Sequence, residues 1–270
     1  MMFVSFNVNS IRTRLHQLEA VIDQLNPDII GLQETKVTDE DFPVDAIREL
    51  GYHVHFHGQK THYGVALLSR AKPDYVCKGY ATDDENAQRR LITGQFTVNG
   101  EPLTVINGYF PQGESRDHPV KFPAKQKFYQ DLISYLDELS EQPGHVVLMG
   151  DMNISPTDKD IGIGADNAKR WLRSGKCSFL PEEREWLAQV EQRGYTDVFR
   201  HLYPDDDNTY SWFDYRSKGF EREPKRGLRI DLIMASEGLL ANASEAGVSY
   251  DIRAMERPSD HCPVWARFNL

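Results

Sequence analysis

No apolar run in the 270-residue chain approaches the ~20 residues that a membrane-spanning helix needs. Cysteine is scarce: Cys77, Cys177 and Cys262 are far apart and odd in number. That excludes a disulfide frame, offers no zinc spacing and predicts reduced thiols in a cytoplasmic protein. The start, Met1 to Asn7, has no basic leader and no small-residue cleavage site, so no signal peptide is expected. No Gly/Ser-rich or Pro-rich linker and no repeat of fixed period divides the chain, so residues 1–270 are expected to form one domain. Positive charge is short as well: 31 Lys and Arg against 41 Asp and Glu give a net charge of −10. That balance argues against a nonspecific nucleic-acid binder. Basic stretches survive at residues 169–176 and 216–229. An acidic body with basic loops fits a protein that meets a polyanion through one face; a solvated loop explains the composition equally well.

Core material is plentiful, with 40% hydrophobic and 11% aromatic residues. Residues 2–8 read as a first strand, followed by a helix that Ser10 caps and Pro27 ends. Its apolar face is Ile11, Leu15, Leu18, Val21, Ile22 and Leu25. Residues 28–32 form a second strand that delivers Gln33 and Glu34. Strand pairs are expected at 53–56 with 64–68, and at 91–98 with 103–110, the latter joined through Asn99-Gly100. Helices are expected over 123–139 and 181–193. Further extended segments are expected at 209–215, 228–235, 248–252 and 262–268. About ten strands and at least three helices exceed what one open sheet holds, which predicts two sheets packed face to face with helices outside.

The stretch His145-Val146-Val147-Leu148-Met149-Gly150-Asp151-Met152-Asn153 organises the chain. An unbroken apolar run reads as a strand buried on both faces, and Gly150 permits a turn where it leaves the core. Asp151 and Asn153, two apart, would project to one side if the chain stayed extended. Taken alone they are ordinary turn residues. Other strand boundaries carry polar groups too: Asn7, Glu34, Tyr109 and the pair Asp260-His261, with Asp231 inside a strand. Asn and Asp are poor strand residues, so their recurrence beside apolar strands calls for a common reason.

Metal-assisted phosphoryl transfer uses such a set. Oxygen ligands from Glu34 and Asn7, with Asp260 through water, suit Mg²⁺ or Mn²⁺. Asp151 can take a proton from an attacking water that Asn153 holds in place. His261 can contact a phosphate oxygen, with Asp231 on its far nitrogen to keep it cationic. Tyr109 can donate its hydroxyl to the phosphate. The residues leave open whether Asp151 or His261 is the base, and whether one or two metals act.

Six segments resemble the exonuclease III family. They are Leu32-Gln33-Glu34-Thr35-Lys36, residues 107–114, residues 150–156, Ser211-Trp212-Phe213-Asp214-Tyr215-Arg216-Ser217, Leu228-Arg229-Ile230-Asp231-Leu232 and Pro258-Ser259-Asp260-His261. That family is the bacterial branch of the abasic-site endonucleases, within the endonuclease/exonuclease/phosphatase superfamily. The resemblance implies an α/β fold: a four-layered sandwich of two mostly antiparallel sheets with helices outside. It implies cleavage of double-stranded DNA 5′ to abasic sites, 3′→5′ exonuclease activity and removal of 3′ phosphates. It also implies a Mg²⁺ cofactor that Mn²⁺ replaces, and a monomer in the bacterial cytoplasm, at the nucleoid. Carried onto this chain, Tyr109, Asp151, Asn153, Asp231, Asp260 and His261 are catalytic. Asn7 and Glu34 are the metal site, bordered by Asp151, Asn153, Asp260 and His261. Trp212, Phe213 and Leu228 resemble a slot for a sugar without a base.

Ser10 and Cys262 depart from the family pattern, which has glycine and a small residue there. Arg90, Gln112, Lys121, Lys176 and Arg216 are candidates for DNA phosphate contacts. His53, His55 and His57 alternate on one strand face, either as a metal group or as an exposed face with Val54 and Phe56 buried behind. Two rivals stand: a phosphatase acting on inositol phosphates or sphingolipid headgroups, and a DNA-binding module without catalysis. The first needs no Trp212 slot; the second does not account for the intact acids.

Overall fold

The computed structural model describes residues 1–270. The chain opens with β1 (Met2–Asn7), all of whose residues are buried. A 3₁₀ turn, Ile11–Thr13, separates it from α1 (Leu15–Leu25). Next come β2 (Ile29–Gln33), α2 (Val44–Glu49), β3 (His53–His57), β4 (Val65–Ser69), β5 (Tyr75–Lys78), β6 (Leu91–Val98) and β7 (Glu101–Tyr109). Then α3 (Lys121–Ser140) leads to β8 (His145–Asp151), and α4 (Ala165–Arg173) and α5 (Pro181–Glu191) precede β9 (Tyr195–Asp197) and α6 (Val198–Leu202). The chain closes with β10 (Asp231–Ser236), α7 (Glu237–Leu240), β11 (Ala243–Val248), α8 (Tyr250–Arg253) and β12 (Val264–Phe268).

The strands form two six-stranded sheets, ordered β11-β12-β1-β2-β4-β3 and β5-β6-β7-β8-β10-β9. Only β1 with β2 and β7 with β8 run parallel, so the sheets are mostly antiparallel, as expected. Alternate residues of each strand serve two cores. Phe3, Ile29, Leu67, Val105 and Val147 fill the space between the sheets. Val4, Ile30 and Leu68 point the other way, under Leu18, Val21 and Ile22 of α1. Ile106, Leu148 and Leu232 meet Tyr129, Leu132 and Leu136 of α3 and Leu187 of α5. Helices on both outer faces leave the central strands buried on both sides, which is why they read as unbroken apolar runs. Full burial of such a side chain is worth roughly 1.5–3 kcal/mol. Polar residues are tolerated inside only where their hydrogen bonds are met. Asn107 is one: its amide donates to Leu32 O at 3.0 Å and Ala66 O at 2.9 Å, and accepts from Gln33 Nε2 at 2.6 Å. Gln33 and Asn107, at the exits of β2 and β7, therefore stitch the two sheets together.

Strand direction creates the site. The parallel pairs bring the carboxyl ends of β1, β2, β7 and β8 to one edge of the sandwich. Antiparallel β10 starts at that edge, with Asp231 opposite Asp151.

Several local expectations change. Ser10 makes no side-chain cap; its φ of 88° opens the 3₁₀ turn instead, and α1 starts four residues later. Residues 248–252 do not form a strand: β11 ends at Val248 and α8 begins at Tyr250. Residues 209–215 form no strand: the chain bends at Ser211 and turns at Tyr215, and it pairs only through single bridges from Trp212 to Leu228 and His261. The Asn99-Gly100 hairpin is present, both residues having positive φ. On edge strand β3, Val54 and Phe56 pack inward, and the three histidines join no metal-ligand cluster. No helix is long and apolar enough to cross a membrane.

Candidate active site

Asp151 ends β8 and is buried at the sheet edge. Gly150 precedes it inside the strand rather than at a turn. A Cβ there would lie 1.9 Å from Gly108 O, so only glycine lets β7 and β8 approach this closely at their exits. Asn7 Nδ2 donates to both Asp151 Oδ2 and Glu34 Oε1, each at 2.9 Å. Past β8 the chain turns back: Asn153 adopts φ of 52°, and its N–H reaches Asp151 Oδ1 at 3.1 Å. The Asn153 amide nitrogen donates to Phe110 O at 2.9 Å, leaving its oxygen to offer. Glu34, with φ of 51°, is a second left-handed non-glycine residue at this edge. Tyr109 lies beside Asp151 in register.

His261 enters just before β12. Its Nδ1 lies 2.9 Å from Asp231 Oδ2, and its Nε2 lies 3.7 Å from Asp151 Oδ2. Ser211 fixes Asp231 from behind, donating to its Oδ2 at 2.6 Å while accepting the N–H groups of Ile230 and Asp231. Asp260 accepts from Asn9 Nδ2 at 2.9 Å and Trp212 Nε1 at 3.1 Å.

Burial pushes Asp151 up to about 7, with the charges of Asp231 and Glu34 adding to it. Burial opposes the charge on His261 as well, but Asp231 and then Asp151 outweigh it and hold the imidazole at about 10. Tyr109 is pushed well above its ordinary range by burial and by Glu34, so its hydroxyl stays protonated. Asp260 stays below the usual carboxylate range in spite of burial, because His261 and the bonds from Asn9 and Trp212 favour its charged form.

Glu34, Asp151 and His261 offer ligand atoms within 4.8 Å of one another, a cluster able to hold a metal ion. The two carboxylates fit a hard divalent cation. His261 fits less well, since an imidazolium has no free lone pair on Nε2. Asn7 presents its amide nitrogen, not its oxygen, to the acids; the oxygen accepts from Asn9 N at 3.0 Å. In this arrangement Asn7 braces the two carboxylates through its amide nitrogen. Lys36 Nζ sits 3.0 Å from Glu34 Oε2 and 2.6 Å from Asn9 Oδ1.

A cavity of about 260 Å³ opens over these groups. Its walls include Glu34, Tyr109, Asp151, Asn153, Asp260 and His261, and on the apolar side Trp212, Leu228, Ile230 and Trp171. Of the three expected slot residues, Trp212 and Leu228 line it. Phe213 does not: neighbours on an extended chain point to opposite sides, and Phe213 packs into a cluster with Tyr210, Phe220 and Tyr250. Among the candidate phosphate contacts, Gln112 and Lys176 line the cavity, and Lys176 Nζ also lies 3.8 Å over the Trp171 ring. Lys121 is exposed beside Glu114, at 2.5 Å, and Arg216 is exposed on its loop. Arg90 is 8% exposed and packed between tyrosines, so it presents no free guanidinium to a phosphate. Cys262 packs beside Phe213, away from the cavity.

Trp171, Ser178, Ile230, Asn9 and Lys36 border this region and were not singled out from the sequence. The regular spacing of Asn7 and Asn9 could have flagged Asn9, and Lys36 lies within the Leu32-to-Lys36 segment. Lys125 was also missed. It is fully buried on α3 and bonds Glu183 Oε1 at 2.5 Å, Asn153 O at 2.7 Å and Gln112 O at 3.3 Å. Glu183 in turn accepts from Ser178 N and Leu180 N, both at 2.8 Å. One buried ion pair thus pins three loops of the cavity. Lys125→Met leaves Glu183 buried and unpaired, which is expected to destabilise the fold by about 3–5 kcal/mol in denaturant melts. Lys125→Met with Glu183→Gln removes the unpaired charge yet keeps an oxygen for Ser178 N and Leu180 N, and is expected to recover part of that loss; a double variant as unstable as the single one would contradict the pairing.

A model of the Endonuclease/Exonuclease/phosphatase family matches residues 4–261. "Exodeoxyribonuclease III" of Haemophilus influenzae is 56% identical over 268 residues, covering 99% of this chain and 100% of that protein. Among solved structures, a 3′ phosphatase from Neisseria bound to a product DNA hairpin aligns with a TM-score of 0.91 at 37% identity, covering 100% of both chains. An AP endonuclease from Archaeoglobus fulgidus aligns at 0.89 with 33% identity, also over 100% of both chains. With its sheet edge of acids and amides and its match along nearly the whole length, the chain belongs to the endonuclease/exonuclease/phosphatase family, in its exodeoxyribonuclease III branch.

Proposed function

We propose that residues 1–270 form one Mg²⁺-dependent DNA repair nuclease. It cleaves phosphodiesters 5′ to abasic sites, degrades duplex DNA from 3′ ends and removes 3′ phosphates. The observation that carries this reading is a single cavity with two kinds of wall. One is Glu34, Asp151, Asn153 and His261, with Asp231 behind the imidazole; the other is Trp212, Leu228 and Ile230. The acidic wall suits phosphoryl transfer, and the apolar wall suits a deoxyribose that carries no base.

Glu34, with an Asp151 oxygen beside it, would hold the cation, which neutralises charge on the phosphate and on the departing 3′ oxygen. Water attacks phosphorus and forms the new P–O bond, the bond from phosphorus to the 3′ oxygen breaks, and that oxygen takes a proton from bulk water to leave as a 3′-hydroxyl, while the phosphate stays on the 5′ side of the abasic residue. Asp151 is placed to take the water's proton, since its raised affinity suits a base near neutrality. His261 already carries its proton and so serves as a charge partner for the phosphate. That favours Asp151 as the base. Asn153 orients the water through its free oxygen, and Tyr109 donates its hydroxyl to a phosphate oxygen. Asp231, held by Ser211, fixes the tautomer and direction of His261. Asp260 supports the slot through Trp212 and the metal side through Asn9. Gln112 and Lys176, which line the cavity, and the exposed Lys121 and Arg216 serve as contacts for the duplex backbone. The enzyme works as a monomer in the cytoplasm, at the nucleoid.

The test is a labelled duplex with one abasic analogue, incubated in Mg²⁺, in Mn²⁺ and in EDTA. Cleavage immediately 5′ to the lesion is expected with either metal and none in EDTA. Release of phosphate from inositol polyphosphate, with the abasic duplex left intact, would overturn this reading.

A further inference from the structure

Arg90 precedes β6 and is buried, yet it pairs directly with no carboxylate. Its guanidinium lies between two aromatic rings, 4.5 Å from the Tyr63 centroid and 4.6 Å from that of Tyr109. Two hydrogen bonds aim it: Nε donates to Gln88 Oε1 at 2.7 Å, and an Nη donates to Tyr109 O at 3.0 Å. Gln88 closes the clamp by donating to the Tyr63 hydroxyl at 2.9 Å. Tyr63 belongs to the loop entering β4 of one sheet, Gln88 and Arg90 to the loop entering β6 of the other. The stack therefore ties the two sheets at the edge where Tyr109 leaves β7.

A desolvated cation without a counter-ion is costly to bury, and a methionine of similar length would fill the gap between the rings without that cost. What the guanidinium adds is charge and direction. It fixes both ring and backbone of Tyr109, and its positive charge, 4.6 Å from the ring centroid, strengthens the hydroxyl as a hydrogen-bond donor.

We propose that Arg90 is a positioning residue that acts on the reacting phosphate through Tyr109, and that Tyr63 and Gln88 hold it there. The proposal rests on the reading of Tyr109 as a phosphate donor. It assigns Arg90 a different task from a surface arginine that grips the DNA backbone.

Kinetics on the abasic duplex at several salt concentrations separate the two tasks. Arg90→Met is expected to lower kcat about 10- to 100-fold, with KM within about twofold and the slope of log KM against log salt unchanged. Arg90→Lys is expected not to rescue kcat, because an ammonium neither stacks as a plane nor forks to two acceptors. In a cycle with Tyr109→Phe, the second substitution is expected to add little to the first. Should Arg90→Met fold poorly in a thermal melt, Gln88→Leu leaves the stack filled and removes its brace; a several-fold fall in kcat at constant KM is then expected. A raised KM at constant kcat, with the salt slope reduced by about 1, would show that Arg90 grips a phosphate and overturn the proposal. So would fully additive losses with Tyr109→Phe. Wild-type protein that leaves the duplex uncut would instead remove the reading of Tyr109 itself.

Discussion

Asp151→Asn is expected to lower cleavage of an abasic duplex at least about 10³-fold while leaving the fold intact. Asn has nearly the same shape, and its Oδ1 can still accept from Asn153 N, so the turn after β8 survives. Three things are lost together. The water loses its proton acceptor, the cation loses a charged oxygen, and His261 loses one of the three carboxylates that keep it charged. The side-chain nitrogen introduced would also face Asn7 Nδ2, setting two donors against each other where a carboxylate accepted. Single-turnover rates and a thermal melt check this; a variant that melts normally and cleaves within tenfold of wild type would remove Asp151 from the reaction. A pH effect accompanies it. Proton and metal compete for a carboxylate lifted to about 7. The Mg²⁺ concentration for half-maximal cleavage should therefore fall as pH rises through about 7 and level off above it. A half-saturating concentration that stayed flat from pH 6 to 8, on the order of one unit either side of that midpoint, would argue that the proton never sits on Asp151.

What could be read from the sequence is set by where each signal lives. Polar residues at the ends of apolar strands are visible because the pattern breaks there, and Asn7, Glu34, Tyr109, Asp151 and His261 do converge on one edge. Chain direction turns those breaks into a site, and parallel pairing of β1 with β2 and β7 with β8 was not legible from strand patterns alone. α4 escaped because its apolar face is short, Ala168 and Trp171 with only Trp171 buried, and sits in a run of basic residues that reads as a loop. Trp171 was lost with it. Arg90 reads as a candidate phosphate contact because nothing in its own sequence neighbourhood reports the two rings that enclose it; Tyr63 and Tyr109 lie 27 and 19 residues away. Lys125 sits among lysines on α3, and its burial depends on Glu183, in a different helix. Phe213 shared a motif with Trp212 but not a direction. Interactions that join distant segments leave no local pattern, whereas strand exits do.

Trp212→Ala is expected to reduce abasic-site cleavage about 100-fold or more, while removal of a 3′ phosphate falls far less. The indole forms the apolar wall opposite the acids, facing Leu228 across a backbone bridge, and truncating it removes most of the surface against which a bare sugar would pack. A terminal phosphate needs the acidic wall and the cation but asks little of the slot. The substitution also removes the Nε1 bond to Asp260 at 3.1 Å, which could disturb both reactions through Asn9 and the metal side. Trp212→Phe separates these effects, because it keeps an aromatic wall and loses only the bond. Phe is expected to retain most abasic cleavage if the wall matters, and to resemble Ala if the Asp260 bond does. Equal losses of both activities in Trp212→Ala, with Phe no better, would reassign Trp212 from a substrate slot to a brace for Asp260.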